Sequence, residues 1–518
     1  MSILLPLIIL FLCILANLIL RRWRPGFAYF WVVTTGGALL AWLALVFLYS
    51  FIPKFLVVTY WQVPGVISTP LALRVNTYAW VLGVGVLTLL LSMLLTDIVR
   101  QRGGWLSWTV GLLTSLLVLL ALFSANPITL IIGWGALDLC ELLLYLSVTK
   151  EKKHLEQVIV SFSGRAVSLI LLLWFAVHTG TVGSVLAFSL FPGQMIDYLL
   201  LAACLRIFVL PPLIGSIDER RFGQGISMVL RLMPLLVCLD LFVRSATEGI
   251  SLVGLSKMYI IGVLMTLLGG MVWVGSKDEV EGSAFWVLGW SGLILAGVVL
   301  GKPQASLAWG LVMLFGGALV WLSSVRTHVF VPIFAVGLLG MAALPYSPAF
   351  AGAQIFQSLD VWTGMMMVGQ VLLSAGFIRF VVRTRAALVE QERWVKVVYP
   401  FGLLLLPFTH FGLGWIALRT EIGAGWWVGV VMLGLAAILF GAGRFKPRLF
   451  SGWESVNQFI QRFFSMGWLF RLAARVYQWL GQILYGLSNL LEGEAGLLWT
   501  FLLLILLFSF LSRRVGGG

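Results

Sequence analysis

Apolar residues fall in long blocks along this chain: stretches of about 17 to 25 residues with almost no charge recur from end to end, separated by short polar turns. Coiled as an α-helix at about 1.5 Å per residue, each block crosses the roughly 30 Å of hydrocarbon in a bilayer. About sixteen such blocks can be marked, and no soluble domain fits between them. The pattern predicts an all-α polytopic membrane protein with about sixteen transmembrane helices. The first block, MSILLPLIILFLCILANLIL, precedes its basic cluster and is long enough to span, so it reads as a first transmembrane helix and not as a cleaved signal.

Charge placement gives the expected orientation. Basic clusters follow the odd-numbered spans: Arg21, Arg22 and Arg24, then Arg100 and Arg102, Lys150, Lys152 and Lys153, Arg220 and Arg221, Lys277, Arg326, Arg383 and Arg385, and Arg444, Lys446 and Arg448. Loops carrying excess Lys and Arg stay in the cytoplasm, which puts the N-terminus outside and the chain in the inner (cytoplasmic) cell membrane. Lys54, Arg244, Lys257, Lys302, Arg419 and the pair Arg513 and Arg514 depart from the rule.

Two spans are interrupted by proline. The seventh reads AACLRIFVLPPLIG with Pro211 and Pro212, and the twelfth reads VGLLGMAALPYSPAF with Pro345 and Pro348. Proline removes a backbone donor and clashes one turn back, so both helices should break inside the membrane. Breaks five helices apart suggest two inverted five-helix repeats. The organisation expected is residues 1–104 for the first three helices, 105–245 and 246–382 for the repeats, 383–450 for further core helices, 451–495 for an amphipathic segment and 496–518 for a terminal span. In the amphipathic segment arginines alternate with aromatics at helical spacing, as in a helix lying in the membrane interface. It is either a surface connector or a strap along a neighbouring membrane subunit.

Composition narrows the function. With 61% hydrophobic and 10% charged residues the bilayer is the solvent, and a net charge of +14 spread over inter-span clusters argues against nucleic-acid binding. The four cysteines all lie in apolar runs without metal-ligand spacing, so no metal site is expected. No phosphate-cradling glycine loop or thiolate cluster points to a cofactor.

Several segments in order, from about Leu73 to Phe380, resemble the antiporter-like family: the proton-channel subunits of respiratory complex I and their relatives in Mrp-type cation antiporters, membrane-bound hydrogenases and inorganic-carbon uptake complexes. They are LRVNTYAWVL at Leu73, GWGALDLCELLLYL at Gly133, LRIFVLPPL around Arg206, ISMVLRLMPLLVCLDLFVR around Arg231, VLGWSGLILAGVVLG at Val287, ALPYSPAF at the twelfth span and LLSAGFIR in the thirteenth. The resemblance implies a proton file of buried ionisable residues. Carried over by position, its glutamate falls on Gly135, its lysine on Arg206, its first histidine on Arg231, and its later members on Met313, Gly317 and near Ala353.

Those replacements change the chemistry. A buried lysine can release its proton, whereas arginine stays charged under any reachable condition. Arg165, Arg206 and Arg231 need anions, and the nearest by helix are Asp138 and Glu141, one turn apart on the fifth span. Either these five residues are fixed ion pairs locking the first repeat, or they form a rearranged path with Asp138 or Glu141 as the protonatable groups. Asp278, Glu279 and Glu281 read as a solvated loop, and His178 and His410 as interfacial. The expected function is an antiporter-like subunit of a multi-subunit ion-translocating complex, with a degenerate proton path and a structural or coupling role. Its expected partners are other integral membrane subunits, the lipid bilayer, and protons or sodium ions. A free-standing secondary transporter using the two breaks, or a membrane partner of a soluble module, are the alternatives.

Overall fold

The computed structural model describes residues 2–59, 70–100, 104–148, 152–180, 196–209, 224–247, 256–357, 360–383, 392–418 and 426–445, with short helical stretches between 458 and 485 and at 500–506. The chain divides into two units, Met1–Phe464 and Ser465–Gly518. The first holds α1 (Leu4–Trp23), α2 (Phe30–Leu48), α3 (Thr77–Asp97), α4 (Trp105–Leu122), α5 (Pro127–Val148), α6 (Lys152–Gly180), α7 (Ile196–Phe208) and α8 (Gln224–Thr247). It continues with α9 (Ser256–Gly275), α10 (Glu279–Val299), α11 (Pro303–Leu322), α12 (Val331–Met341), α13 (Val361–Val382), α14 (Val395–Ala417) and α15 (Trp426–Phe445). Among the described residues, eleven helices are long and apolar enough to cross a membrane. In the second unit the described residues of 471–485 and 500–506 are helical and exposed.

Hydrophobicity all round a helix suits two environments, protein interior and lipid, and the fold sorts its helices between them. α3 and α11 lie at the centre, buried from Ala79 to Asp97 and from Ala305 to Leu322. α1, α2, α6 and α14 turn large apolar side chains such as Phe11, Phe47, Ile170 and Phe408 outward. Without water to drive helices together, their packing depends on close backbone approach at small residues. α9 and α10 show this: a Cβ at Gly269 would lie 2.4 Å from the Gly289 nitrogen, and one at Gly292 would lie 2.3 Å from the Gly262 carbonyl oxygen.

Among the described residues one hairpin stands apart from the helices. β1 (Lys54–Thr59) pairs antiparallel with β2 (Leu71–Val75), and the strand edge continues through Leu73 to Ser124 after α4. Hydropathy does not announce this hairpin, because its residues extend the apolar pattern of the spans beside it.

α12 breaks where its prolines stand. The helix stops at Met341, Ala343 and Tyr346 take positive φ of 52° and 66°, and Pro348–Phe356 continues as a 3-10 helix. The carbonyls of Ala342 and Ala343, freed by the break, point at the first turn of α15, where a Cβ on Gly429 would lie 2.6 and 2.4 Å from them. The glycine at 429 is what lets α15 lie this close to the broken end of α12. α14 closes the other side, with Gly414 against Pro348. α7 ends at Phe208, and Pro211 and Pro212 lie outside the described residues.

Candidate functional site

α5 and α6 run antiparallel in a register that sets Glu141 opposite Arg165 and Asp138 opposite Ser168. Asp138 and Glu141 share one face of α5 because they are three residues apart. From α7, Arg206 reaches Asp138 with both terminal nitrogens, at 2.9 and 2.5 Å, and its Nε donates to Ser168 Oγ at 3.2 Å. The Arg206 guanidinium also lies 3.9 Å from the centre of the Trp134 ring, one turn back on α5. Arg165 pairs with Glu141 and lies 3.6 Å from Asp138 Oδ1, the oxygen that also accepts from Arg206 at 2.9 Å. All four charged side chains are only 2 to 5% exposed.

The result is a neutral quartet, two carboxylates against two guanidiniums. Planar guanidinium and carboxylate fit as a fork with two parallel bonds, an arrangement that holds charge in place. Arg231 stands apart. From α8 it donates to Ser283 Oγ on α10 at 3.2 Å and is 6% exposed. Of the five charged residues expected to act together, four form one cluster and the fifth bridges to the second half of the fold.

In that second half, the positions carried over as relay members are surrounded by indole. Trp286 Nε1 donates to the Met313 carbonyl at 3.0 Å, and a Cβ on Gly317 would lie 2.8 Å from that same nitrogen and 2.6 Å from the Trp321 ring. Trp273, Trp286, Trp290 and Trp309 form a continuous run of ring contacts, tilted, edge-to-face and then stacked, with centroid spacings of 5.1, 5.4 and 5.4 Å, ending on Phe356 at 6.2 Å. Indole offers one N–H donor and no acceptor, so it cannot accept a migrating proton and return it. Gly352, the neighbour of Ala353, abuts Trp309, and a Cβ there would lie 2.4 Å from the indole.

Several buried polar groups escape the pattern of spans. Glu279, expected in a solvated loop, is buried at the start of α10 and pairs with Arg326 at 2.7 Å. Arg326 also donates to the carbonyls of Phe380 and Val320 and to Ser323 Oγ, so one side chain joins the ends of α10, α11 and α13. Asp240 and Arg244 pair one turn apart on α8 at 2.7 Å, and Arg244 further donates to the Leu122 and Ser124 carbonyls at the end of α4. His410, expected at the interface, is buried within α14 and stacks on Phe315 of α11. The available signal for Arg244 is its departure from the basic-loop rule; Arg326 obeys the rule and gives none.

Among solved structures, the Mrp complex from Dietzia sp. DQ12-45-1b superposes on 99% of this chain with a TM-score of 0.76 at 14% identity. The chain has the antiporter-like fold. It spans 63% of the length of that Dietzia chain. The membrane-bound sulfane sulfur reductase, an archaeal respiratory membrane complex, superposes on 97% of this chain and 99% of its own with a TM-score of 0.69 at 16% identity. No family model matches the sequence, and no curated protein matches it. The fold is shared with these structures at 14 to 16% identity.

Proposed function

We propose that this chain is an antiporter-like membrane subunit of a multi-subunit ion-translocating complex, in which it has a structural or coupling role in place of proton conduction. The observation that carries the reading is the run of tryptophans from Trp273 to Trp309, which packs indole around Met313 and Gly317, where a conducting relay needs groups that both accept and donate protons. The quartet supports it, since Asp138 is held by both nitrogens of Arg206 and neither arginine can release a proton. Membrane subunits of the same complex are the partners on this reading. The 451–495 segment serves as a strap along one of them, the two repeats occupy 105–245 and 246–382, and the N-terminus faces outward from the inner membrane.

The closed joint at the α12 break disfavours a free-standing transporter that binds its substrate there, because its carbonyls already rest on α15. Purification in mild detergent tests the reading: stoichiometric membrane partners are expected to co-isolate. In that complex Asp138→Asn and Glu141→Gln should leave proton-coupled activity per assembled complex unchanged while lowering thermal stability. Loss of coupling in either variant at wild-type stability, or ion transport by the chain alone in liposomes, would overturn it.

A further inference from the structure

The register that pairs Glu141 with Arg165 extends one turn further along both helices. Between antiparallel neighbours a step of four forward on α5 matches a step of four back on α6, so Tyr145 comes opposite Ser161. Both are enclosed, at 2 and 0% exposed, and neither hydroxyl has a hydrogen-bond partner among the described residues. The ion pair beside them leaves groups over as well. Arg206 engages all three of its nitrogens, on Asp138 and Ser168, but Arg165 reaches the carboxylates with Nη1 alone. Its Nε and Nη2, and Glu141 Oε1, are buried without a partner. Val158, three residues before Ser161 and fully buried, is apolar and ends the polar run on that side.

These orphaned atoms lie together and are of both kinds. The guanidinium offers donors and no acceptor, Glu141 Oε1 is an acceptor, and each hydroxyl can be either. Every one of them opposes folding if it stays unmatched. We infer that this layer between α5 and α6 is a binding site for internal water, held by Arg165 and Glu141 on one side and by Tyr145 and Ser161 on the other. Water accepts from the free N–H groups of Arg165, donates to Glu141 Oε1 and exchanges hydrogen bonds with the two hydroxyls, so a single kind of molecule satisfies the whole set. A sodium ion would suit the three oxygens but not the guanidinium, whose charge repels it and whose donors it cannot meet. With water in place, α5 and α6 are joined over successive turns: Asp138 to Ser168 through Arg206, Glu141 to Arg165 directly, and Tyr145 to Ser161 through the solvent molecule.

X-ray radiolysis tests this on the detergent-purified protein with whatever subunits accompany it, because it makes hydroxyl radicals from bound water in place and so oxidises buried side chains that touch water. Tyr145 should be oxidised despite its burial, whereas Tyr399, also buried but with its hydroxyl bonded to the Val325 backbone, should be spared. Unfolding in one detergent gives an independent measure. A dry hydroxyl without a partner opposes folding, so Tyr145→Phe and Ser161→Ala would then stabilise the protein. A hydroxyl that holds water contributes a hydrogen bond, so each variant should instead shift the equilibrium toward the unfolded state, by about fivefold. Tyr145 left unoxidised, or stabilisation by either variant, would overturn the proposal. So would stabilisation by sodium chloride that choline chloride does not reproduce, which would assign the layer to a cation.

Discussion

Replacing Asp138 by asparagine removes one of two carboxylates facing two guanidiniums. Arg206 loses both charge-assisted bonds, at 2.9 and 2.5 Å, and Arg165 loses its second anion at 3.6 Å. The cluster passes from neutral to one net positive charge in a site with almost no solvent. Removing one partner from a buried ion pair costs about 3–5 kcal/mol, because the charge left behind has neither water nor a counter-ion. The Trp134 face under Arg206 remains and contributes up to about 2 kcal/mol to a desolvated cation, so the loss should fall near the lower end, about 3 kcal/mol. That corresponds to more than a hundredfold in the unfolding equilibrium. The companion variant Asp138→Leu/Arg206→Met removes both charges and keeps the volume. Apolar replacement of a buried pair is often neutral, so it should recover most of the loss and leave a coupling energy of about 2 kcal/mol. Denaturant or thermal unfolding of wild type, Asp138→Asn, Asp138→Leu, Arg206→Met and the double variant in one detergent measures both quantities. Additive losses would refute the argument that Asp138 and Arg206 stabilise the fold as a pair.

Other consequences follow from the same geometry. Arg326→Ala should destabilise by about 3–5 kcal/mol, since it strands buried Glu279, and Arg326→Lys should restore little because one ammonium cannot span acceptors on three helix ends; thermal unfolding compares them. Gly429→Val should abolish a folded product, detected by size-exclusion profile, because its Cβ would meet the Ala342 and Ala343 carbonyls. Asp360 caps α13, and the Thr363 hydroxyl, with the Thr363 N–H at 2.7 Å, holds its carboxyl below the ordinary value of 3.8. A depressed folded value means that the unfolded chain binds the proton more readily. The cap's electrostatic contribution is therefore complete above 3.8 and is lost as pH falls through the lower folded value, whereas Asp360→Asn should cap with no such pH dependence in a thermal scan.

The sequence by itself determined what depends on neighbours along one helix. Long apolar blocks require spanning helices, since lipid supplies no partner for backbone groups. Three-residue spacing puts Asp138 and Glu141 on one face, and Pro345 with Pro348 ends α12 near where the structure ends it. The resemblance to the antiporter-like family rested on the order of weak motifs, and the fold carries the same plan at 14 to 16% identity. What only the tertiary structure decided is which charge meets which. Arg326 and Glu279 read as loop residues because hydropathy measures the chance of lipid contact and says nothing of the end of a bundle, where three helices can enclose an ion pair without water. His410 read as interfacial because its place near the end of an apolar block does not reveal that α14 packs against α11 there. The run of tryptophans is the clearest case. Trp273, Trp286, Trp290 and Trp309 are scattered over three helices, and only the rotation of α9, α10 and α11 about their axes brings the rings together in place of a relay.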